Sequence, residues 1–313
     1  MPLKDLTKTS DLTSGDFLHL IELSLEFKKN PLKDKDLLTN KTVVMYFNKP
    51  STRTRLSFSA AIAGLGGIPV TTNGNELQLG RGETIEDTAN VISRYAKAFV
   101  IRTYKDSDVE AIAKTATIPV INALTDGHHP CQSIADLMTL YEVRKNLETS
   151  KLAYIGDGNN VVSSLLEACA LCGTDFSVAT PEGYEPNAEV VARAKEIAKK
   201  TGSQIVVTHD CEEALKNADA VYGDVWLSMG DSPEEKDTKF KAFMPYQITS
   251  NLMKKAKDDA VFMHCLPAHR EEEVTADVID SKQSVVFDQA ENRMHTSSAV
   301  LAALIKGELR GAN

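Results

Sequence analysis

The stretch Ser51-Thr52-Arg53-Thr54-Arg55 lies between an apolar run at residues 43–47 and a segment of helical periodicity at residues 56–65. The apolar run predicts a strand. The periodic segment predicts a buried helix, because two sets of its apolar residues recur at i, i+4 and i+7. These sets are Leu56, Ala60 and Ala63, and Phe58, Ile62 and Leu65. The polar stretch therefore joins a strand to the start of a helix.

A helix start of this composition favours the binding of an anion. Its first backbone N–H groups have no intrahelical partners and carry partial positive charge. Ser51 is in a position to cap the helix, and three hydroxyl groups and two guanidinium groups crowd the same end. These donors suit a phosphate or an acyl phosphate. The alternative is an ordinary capped helix with solvated arginines.

The length and charge of the chain narrow its class. At 313 residues it suits about two domains, each large enough to bury a core. It has 35 Lys and Arg against 44 Asp and Glu, so the net charge is −9. This balance argues against nucleic acid or an anionic membrane as the main partner. An anionic substrate would need a local cluster of basic residues.

The amino-terminal segment and the cysteines together predict a cytoplasmic location. Residues 1–17 mix lysine with aspartate and lack the apolar core of a signal peptide. No apolar run approaches the ~18 residues that span a membrane. The five cysteines are odd in number and scattered, which fits a reducing compartment. Cys169 and Cys172 form a C-x-x-C in an apolar helical run, so we expect core packing, with a redox or metal role as the alternative.

Short strand-like runs alternate with helical patterns along the rest of the chain. They span residues 98–102, 118–121, 152–155, 176–179, 204–207, 220–222 and 260–263. This alternation predicts an α/β fold with two doubly wound parallel-sheet domains joined by helices, and a boundary near residues 145–151. Ligands of such folds bind beyond the carboxyl ends of the strands. We therefore expect an active site in the cleft between the two domains.

Several polar motifs in the first half fall at these strand ends. Residues 73–83 form a polar, glycine-rich loop, which either binds a ligand or is an ordinary surface loop. Arg102 ends a strand and would point into the crevice, unless it is an edge residue in a salt bridge. His129 precedes a proline, which holds its backbone extended and allows its ring to be aimed. His128 and Cys131 make a metal site conceivable, although the spacing matches no usual zinc pattern.

The second half carries two further strand-end motifs. Residues 156–160 resemble a dinucleotide-binding turn, but Val161 stands where the third glycine of G-x-G-x-x-G belongs. We predict instead a tight turn that presents Asn160 as a neutral hydrogen-bond partner. Asp224 follows another strand and is a candidate general base or cation anchor. The charged residues 231–241 suggest a mobile loop with a hinge at the preceding glycine.

The last strand leads into a cysteine beside cationic residues. Cys265 could ionise there and act as a nucleophile. This would suggest a cysteine hydrolase, but no G-x-S-x-G-like elbow accompanies it. The Leu266–Pro267 bond is predicted to be cis, because a sharp turn must aim backbone groups here. Arg293 lies where the final helix is expected to open, at residues 291–293, and could simply form a salt bridge at that helix start.

Taken together, these motifs resemble those of the aspartate and ornithine carbamoyltransferases. In chain order the matches are Ser-Thr-Arg-Thr-Arg (51–55), Ile-Arg-Thr (101–103), His-Pro-x-Gln (129–132), Ser-Met-Gly (228–230) and His-Cys-Leu-Pro (264–267). The aspartate enzymes carry a lysine in the loop that matches residues 73–83. Its absence here favours the ornithine branch. Residues 51–55, which match the family's carbamoyl phosphate loop, are called the phosphate loop below. Asn48 and Ser59, beside this loop, depart from the family pattern, which would alter the ion pairs that support it.

The resemblance implies transfer of a carbamoyl group from carbamoyl phosphate to the δ-amine of L-ornithine, giving L-citrulline and phosphate. It implies neither a metal nor an organic cofactor. The implied carbamoyl phosphate contacts are Ser51, Thr52, Arg53, Thr54, Gln78, Arg102, His129, Gln132, Cys265, Leu266 and Arg293. The implied ornithine contacts are Asn160, Asp224, Ser228 and Met229. Catalysis would fall to Asp224, Cys265, Arg102 and His129.

The resemblance also implies the organisation of the chain. Residues 1–146 would bind carbamoyl phosphate, with a final helix at about 290–313 packing back onto them, and residues 147–289 would bind ornithine. The enzyme would be a homotrimer in which Gln78 crosses to the neighbouring subunit's site. Two alternatives remain open: a catalytically inactive relative that serves as a binding or regulatory subunit, and a dehydrogenase.

Overall fold

The computed structural model describes residues 2–74, 76, 82–227 and 236–312 of the chain. The chain forms two units, one comprising residues 1–138 and 291–313 and the other comprising residues 139–290. We call them unit 1 and unit 2. Gln78, Ser228 and Met229, which the sequence analysis singled out, lie outside the described residues.

Unit 1 is built around a four-stranded parallel sheet. Its strands are β1 (Thr42–Phe47), β2 (Ile68–Asn73), β3 (Ala98–Arg102) and β4 (Val120–Leu124), in the spatial order β2-β1-β3-β4. Its helices are α1 (Ser14–Lys29), α2 (Arg53–Gly64), α3 (Ile85–Tyr95) and α4 (Asp106–Thr115), and α5 (Pro130–Arg144) begins in it. A short 3-10 helix, Thr9–Asp11, precedes α1.

The order of the strands in unit 1 creates a switch point beside β1. The chain leaves β1 for β2 on one side and then returns to β3 on the other. Phe47 and Arg102, the last residues of β1 and β3, are paired in register. The loops that follow these two strands therefore diverge, which opens a crevice at their carboxyl ends.

Unit 2 repeats this design with five parallel strands. They are β5 (Lys151–Ile155), β6 (Asp175–Ala179), β7 (Ile205–Thr208), β8 (Ala220–Gly223) and β9 (Val261–His264), in the order β7-β6-β5-β8-β9. The helices are α6 (Asn160–Cys172), α7 (Ala188–Thr201), α8 (Cys211–Leu215), α9 (Lys236–Phe243), α10 (Ser250–Met253), α11 (Ala276–Ile279) and the start of α12 (Val286–Lys306). Here the switch point lies between β5 and β8, where Ile155 pairs with Gly223.

The predicted fold class, with two parallel sheets and intervening helices, is confirmed. The strands formed where apolar runs were long enough to be buried on both faces, as in β3, whose five residues are all buried. Cys169 and Cys172 are buried in α6, as core packing requires. All five cysteines belong to the described part of the chain and none forms a disulfide. Among the described helices, none is both long enough and apolar enough to cross a membrane.

The prediction of a buried helix after residues 51–55 is confirmed for only one of its two apolar sets. In α2 the set Phe58, Ile62 and Leu65 is buried, whereas Leu56 is 64% exposed, and Ala60 and Ala63 are exposed with it. Helical spacing identifies both sets but does not say which one faces the core. Only one face of α2 packs on its own unit.

Three helical segments differ from the sequence-based expectation, which placed a helix at residues 133–144, the start of the last helix at residues 291–293 and a mobile loop at residues 231–241. Helix α5 begins at Pro130, where a proline suits the first helical turn because its missing N–H would have no partner there. Helix α12 begins at Val286, so Arg293 lies inside the helix instead of at its start. Lys236–Phe243 is helical rather than a loop, because Phe243 packs edge-on against Tyr184, with ring centroids 4.9 Å apart.

The tight turn after β5 leaves no room for a side chain at Gly158. A Cβ atom at this position would lie 2.4 Å from the backbone carbon of Glu185, which cannot move as a side chain could. We expect Gly158→Ala to lower the free energy of unfolding by about 1–3 kcal/mol. Thermal melting measures the effect. Gly15→Ala is the matched control, because its nearest neighbour is the Thr13 hydroxyl at 3.8 Å. Equal melting temperatures for the two variants would contradict the steric account.

Candidate active site

The loop after β1 leads directly into α2, whose N-cap residue is Thr52. Its φ and ψ are −95° and −63°, and it makes no side-chain capping hydrogen bond. The expectation that Ser51 caps this helix was wrong. A capping side chain requires an extended N-cap residue, and the N-cap here is Thr52 in a helical conformation. The Ser51 hydroxyl oxygen is instead buried, with no hydrogen-bond partner among the described residues. The start of α2 therefore keeps donors that no capping side chain occupies.

The two arginines of this loop face different surroundings. Arg53 is the first residue of α2 and is half-buried, which suits a ligand contact. Arg55 is exposed, and its guanidinium group lies over the ring of Phe47, 5.2 Å from the centroid. This cation–π contact uses a face of the guanidinium group for packing. Arg53 is the stronger candidate for binding an anion.

Arg102 stands at the switch point of unit 1, as its place at the end of β3 predicted. Only 6% of its surface is exposed. Its carbonyl oxygen accepts a hydrogen bond from the Asn48 N–H at 2.8 Å, which ties the end of β3 to the start of the phosphate loop. The register of β1 and β3 thus brings Arg102 beside the residues that precede Ser51.

A buried hydrogen-bonded chain joins three further predicted residues of unit 1. The two terminal nitrogens of Arg293 donate to the amide oxygen of Gln132 and, at 3.2 Å, to the hydroxyl of Thr54. The amide nitrogen of Gln132 donates to a carboxylate oxygen of Asp136 at 2.8 Å. Asp136 was missed by the sequence analysis. Its spacing of four residues from Gln132 could have identified it as a partner, because residues four apart share one face of a helix.

His129 lies among these cations as a neutral imidazole. It immediately precedes α5 and is 4% exposed. Burial lowers the pKa of His129 well below its ordinary value of 6.5, and the charges of Arg293 and Arg102 lower it further. A neutral ring donates one hydrogen bond and accepts another. His129 can therefore contact a carbonyl group near neutral pH without adding a positive charge.

Lys49 is a second residue of unit 1 that the sequence analysis missed. It is buried, forms an ion pair with Asp126, and its ammonium group lies 4.4 Å from the centre of the Tyr104 ring. The pair links the loop after β1 to the loop that carries His129. The only sequence feature that pointed to Lys49 was its position next to the phosphate loop.

In unit 2, Asp224 lies at the switch point and is held from two sides. It is buried directly after β8. One carboxylate oxygen accepts a hydrogen bond from the Asn159 side-chain nitrogen at 2.7 Å, and the other accepts one from the Cys265 thiol at 3.2 Å. The predicted ornithine contact Asn160 is the next residue along, the half-buried first residue of α6.

The turn after β9 is fixed by His264. Its Nδ1 accepts a hydrogen bond from the Leu266 N–H at 2.9 Å, so its Nε2 carries the proton and faces a carboxylate oxygen of Glu273 at 3.2 Å. The Leu266–Pro267 bond is cis, which confirms the prediction. Because the N–H of Leu266 is engaged by His264, the backbone contact expected of Leu266 is restricted to its carbonyl group.

Two sets of described side chains bring potential metal ligands within 4.8 Å of one another, namely Asp224 with His264 and Cys265, and His269 with Glu272 and Glu273. In the first set both ring nitrogens of His264 already face protein groups. In the second, His269 and Glu272 are largely open to solvent. The hydrogen bonds of the protein account for the first arrangement without an ion.

Family models match nearly the whole chain. Residues 4–142 match the aspartate/ornithine carbamoyltransferase carbamoyl-P binding domain, and residues 148–304 match the Asp/Orn binding domain of the same family. The chain belongs to the aspartate/ornithine carbamoyltransferase family. The ornithine carbamoyltransferase of Bacillus cereus is 52% identical over 303 residues, which cover 97% of this chain and 95% of the relative.

Solved structures of this carbamoyltransferase family share the fold over the full length. The ornithine carbamoyltransferase from Pyrococcus furiosus has a TM-score of 0.92 and 48% identity, covering 98% of both chains. The anabolic ornithine carbamoyltransferase from Campylobacter jejuni has a TM-score of 0.90 and 36% identity, covering 96% of this chain and 99% of the other.

The depressed pKa of His129 predicts how stability depends on pH. Below its ordinary value of 6.5 the unfolded chain takes up a proton that the folded chain does not, so stability falls as the pH falls. We expect His129→Gln to weaken this fall between about pH 7 and about pH 5.5. The melting temperature of each protein is measured across this range and expressed relative to its own value at about pH 8. This comparison cancels any pH-independent loss of stability that the substitution causes by altering the packing. Parallel curves for variant and wild type would contradict the assignment.

Proposed function

We propose that this carbamoyltransferase transfers the carbamoyl group of carbamoyl phosphate to the δ-amine of L-ornithine, giving L-citrulline and phosphate. The observation that carries the proposal is the buried Asp224 carboxylate with Cys265 beside it, in a chain similar over its full length to ornithine carbamoyltransferases. A buried carboxylate is suited to receive the cationic amine of ornithine. The chain is thus an active transferase and not a binding subunit.

Carbamoyl phosphate binds to residues of unit 1. Arg53 and Arg102 neutralise the phosphate as it leaves, and the donors at the start of α2, with Ser51 and Thr52, complete its contacts. These groups interact more strongly with the leaving phosphate than with intact carbamoyl phosphate, because negative charge builds up on the phosphate as it leaves. Removal of one well-placed donor of this kind typically lowers the rate by roughly 10²–10³-fold.

The carbamoyl carbonyl group is polarised by a second set of donors. Thr54, His129, Gln132 and Arg293 form one buried cluster in which His129 is neutral. A neutral imidazole N–H stabilises developing negative charge on the carbonyl oxygen without releasing its proton. Cys265 and the carbonyl of Leu266 complete the contacts to this substrate.

The amine is prepared for attack by Asp224. An ammonium nitrogen has no free lone pair, so it must lose a proton before it can attack the carbonyl carbon. Asp224 anchors the ornithine amine and takes part in this deprotonation together with Cys265. Asn160, Ser228 and Met229 hold the amino acid part of ornithine.

The two domains divide this work. Residues 1–146, joined by about 290–313, bind carbamoyl phosphate, and residues 147–289 bind ornithine. The family model of the second domain extends to residue 304, whereas residues 291–313 belong to unit 1. Arg293 supports the assignment of the last helix to the first domain, since its described partners Gln132 and Thr54 lie there.

The working enzyme is a cytoplasmic homotrimer that serves either arginine biosynthesis or the catabolic arginine deiminase pathway. Gln78 of one subunit reaches the phosphate loop of the next. Two observations support self-association. Strand β2 is the edge of its sheet and exposes Ile68 and Val70, and the neighbouring helix α2 exposes Leu56. Large apolar side chains exposed on an unpaired sheet edge usually become buried when another chain packs against them.

Citrulline formation tests the proposed function. Purified protein is supplied with carbamoyl phosphate and, in separate reactions, ornithine, N-acetylornithine, putrescine or aspartate. We expect turnover with ornithine to exceed that with the other amines by at least roughly 100-fold, because the proposed contacts suit an amino acid with both a free α-amine and a δ-amine, which none of the other three offers. Preference for another amine, or no product with any, would contradict it.

Asp224→Asn separates the roles of the two units. We expect turnover with ornithine to fall by at least roughly 100-fold, while the KM for carbamoyl phosphate stays within about threefold of wild type. Asp210→Asn is the matched control, because Asp210 caps α8 and asparagine caps equally well. Equal losses in turnover and in carbamoyl phosphate affinity would remove Asp224 from its role at the amine.

Complementation tests the contribution of Gln78 across the interface. Gln78→Ala and Arg53→Ala are each expected to be weak enzymes. After dissociation and mixing, some interfaces pair an intact Gln78 with an intact Arg53, so activity should reappear. Subunit exchange is verified with differently tagged chains. Exchange without recovery of activity would place Gln78 in its own subunit's site or outside any site.

A further inference from the structure

Unit 2 contains two asparagine caps that make the same pair of capping hydrogen bonds. The side-chain oxygen of Asn159 accepts hydrogen bonds from the N–H groups of Val161 and Val162 at 2.9 and 3.3 Å. The side-chain oxygen of Asn187, which caps α7, accepts the corresponding bonds from Glu189 and Val190 at the same two distances. As helix caps the two residues are equivalent. They differ in what the amide nitrogen does.

The amide nitrogen of Asn159 donates to Asp224 at 2.7 Å, across the switch point between β5 and β8. Asparagine is suited to both tasks, because it carries an acceptor and a donor on one rigid plane. Aspartate caps a helix equally well, as Asp210 does for α8, but it would set a second carboxylate against Asp224. Serine also caps helices, but its short side chain offers no second donor on the far side.

The orientation of this amide is fixed by its surroundings. The Asn159 backbone N–H donates to the carbonyl of Asp157 at 2.8 Å, which tightens the turn. The hydroxyl of Tyr154 donates to the same Asp157 carbonyl at 2.9 Å. Rotating the amide by half a turn would direct its NH₂ at the N–H groups of α6 and its oxygen at the Asp224 carboxylate. Both ends would then meet groups of the same polarity, so a single orientation is stable.

We propose that Asn159 is a positioning residue that holds the Asp224 carboxylate in the orientation needed to receive the ornithine amine. The inference rests on the proposed function. With Asn159 on one oxygen and Cys265 on the other, the carboxylate plane cannot rotate freely. Each oxygen retains further lone-pair capacity for the substrate. The Asn159 amide thereby couples the start of α6 to the Asp224 carboxylate, because the same amide group contacts both.

Four variants separate capping from positioning: Asn159→Ser and Asn159→Asp, with Asn187→Ser and Asn187→Asp as matched controls. Serine and aspartate preserve the cap at both positions. We expect both Asn187 variants to melt within about 3 °C of wild type. The Asn159 variants should melt lower, still in a single cooperative transition, because they also lose the hydrogen bond to Asp224. We expect Asn159→Ser to lower kcat with ornithine by roughly 10- to 100-fold, which is the effect of losing one hydrogen bond to a charged group. The KM for carbamoyl phosphate should stay within about threefold of wild type.

Asn159→Asp is expected to be at least as impaired as Asn159→Ser, because its carboxylate repels that of Asp224. Both Asn187 variants should retain wild-type kinetics. The proposal is overturned if Asn159→Ser matches Asn187→Ser in kcat, or if its KM for carbamoyl phosphate rises as much as its kcat falls. Wild-type turnover is measured first. If wild type forms no citrulline, the proposed function fails, whereas an active wild type with a fully active Asn159→Ser refutes only the role of Asn159.

Discussion

The burial of positive charge in unit 1 is the constraint on which the rest of the candidate site depends. Arg102 and Arg293 are 6% and 3% exposed, and removing a guanidinium group from water is costly unless hydrogen bonds and opposite charge offset it. Thr54 and Gln132 supply hydrogen bonds, and Asp136 supplies a buried carboxylate next to Gln132. In the proposed function, the phosphate dianion of the substrate adds opposite charge to this cluster.

The sheets explain how a globally acidic chain gathers these groups. In each unit the chain begins at an interior strand, fills one side of the sheet and then returns to the other. The first strand and the returning strand end side by side, as the pairs Phe47 with Arg102 and Ile155 with Gly223 demonstrate. Loops that leave such a point diverge, so side chains from distant parts of the sequence converge there. The same topology therefore concentrates cations in unit 1 and positions the Asp224 carboxylate in unit 2.

Most of the strands could be predicted from the sequence, because each is an apolar run flanked by turn residues. The candidate site residues could be predicted because polar residues directly after a buried strand are either exposed or functional. The sequence could not predict partners that depend on three-dimensional register. Asn159 was passed over for Asn160, since nothing in the order of residues shows that β8 returns beside β5. Ser51 was expected to cap α2, but capping depends on the backbone conformation of the N-cap residue. The exposed Leu56 face followed the same spacing as the buried one, and only packing distinguishes them.

Calorimetric titration with carbamoyl phosphate, in the absence of any amine, tests the central claim that buried arginines form a preorganised anion site. Arg102→Ala should bind roughly 10- to 100-fold more weakly than wild type, because it loses a hydrogen bond between two charged groups. Arg310→Ala, which removes an exposed arginine of the same unit, should bind as wild type does. Wild-type affinity in Arg102→Ala, with an unchanged melting temperature, would contradict the account.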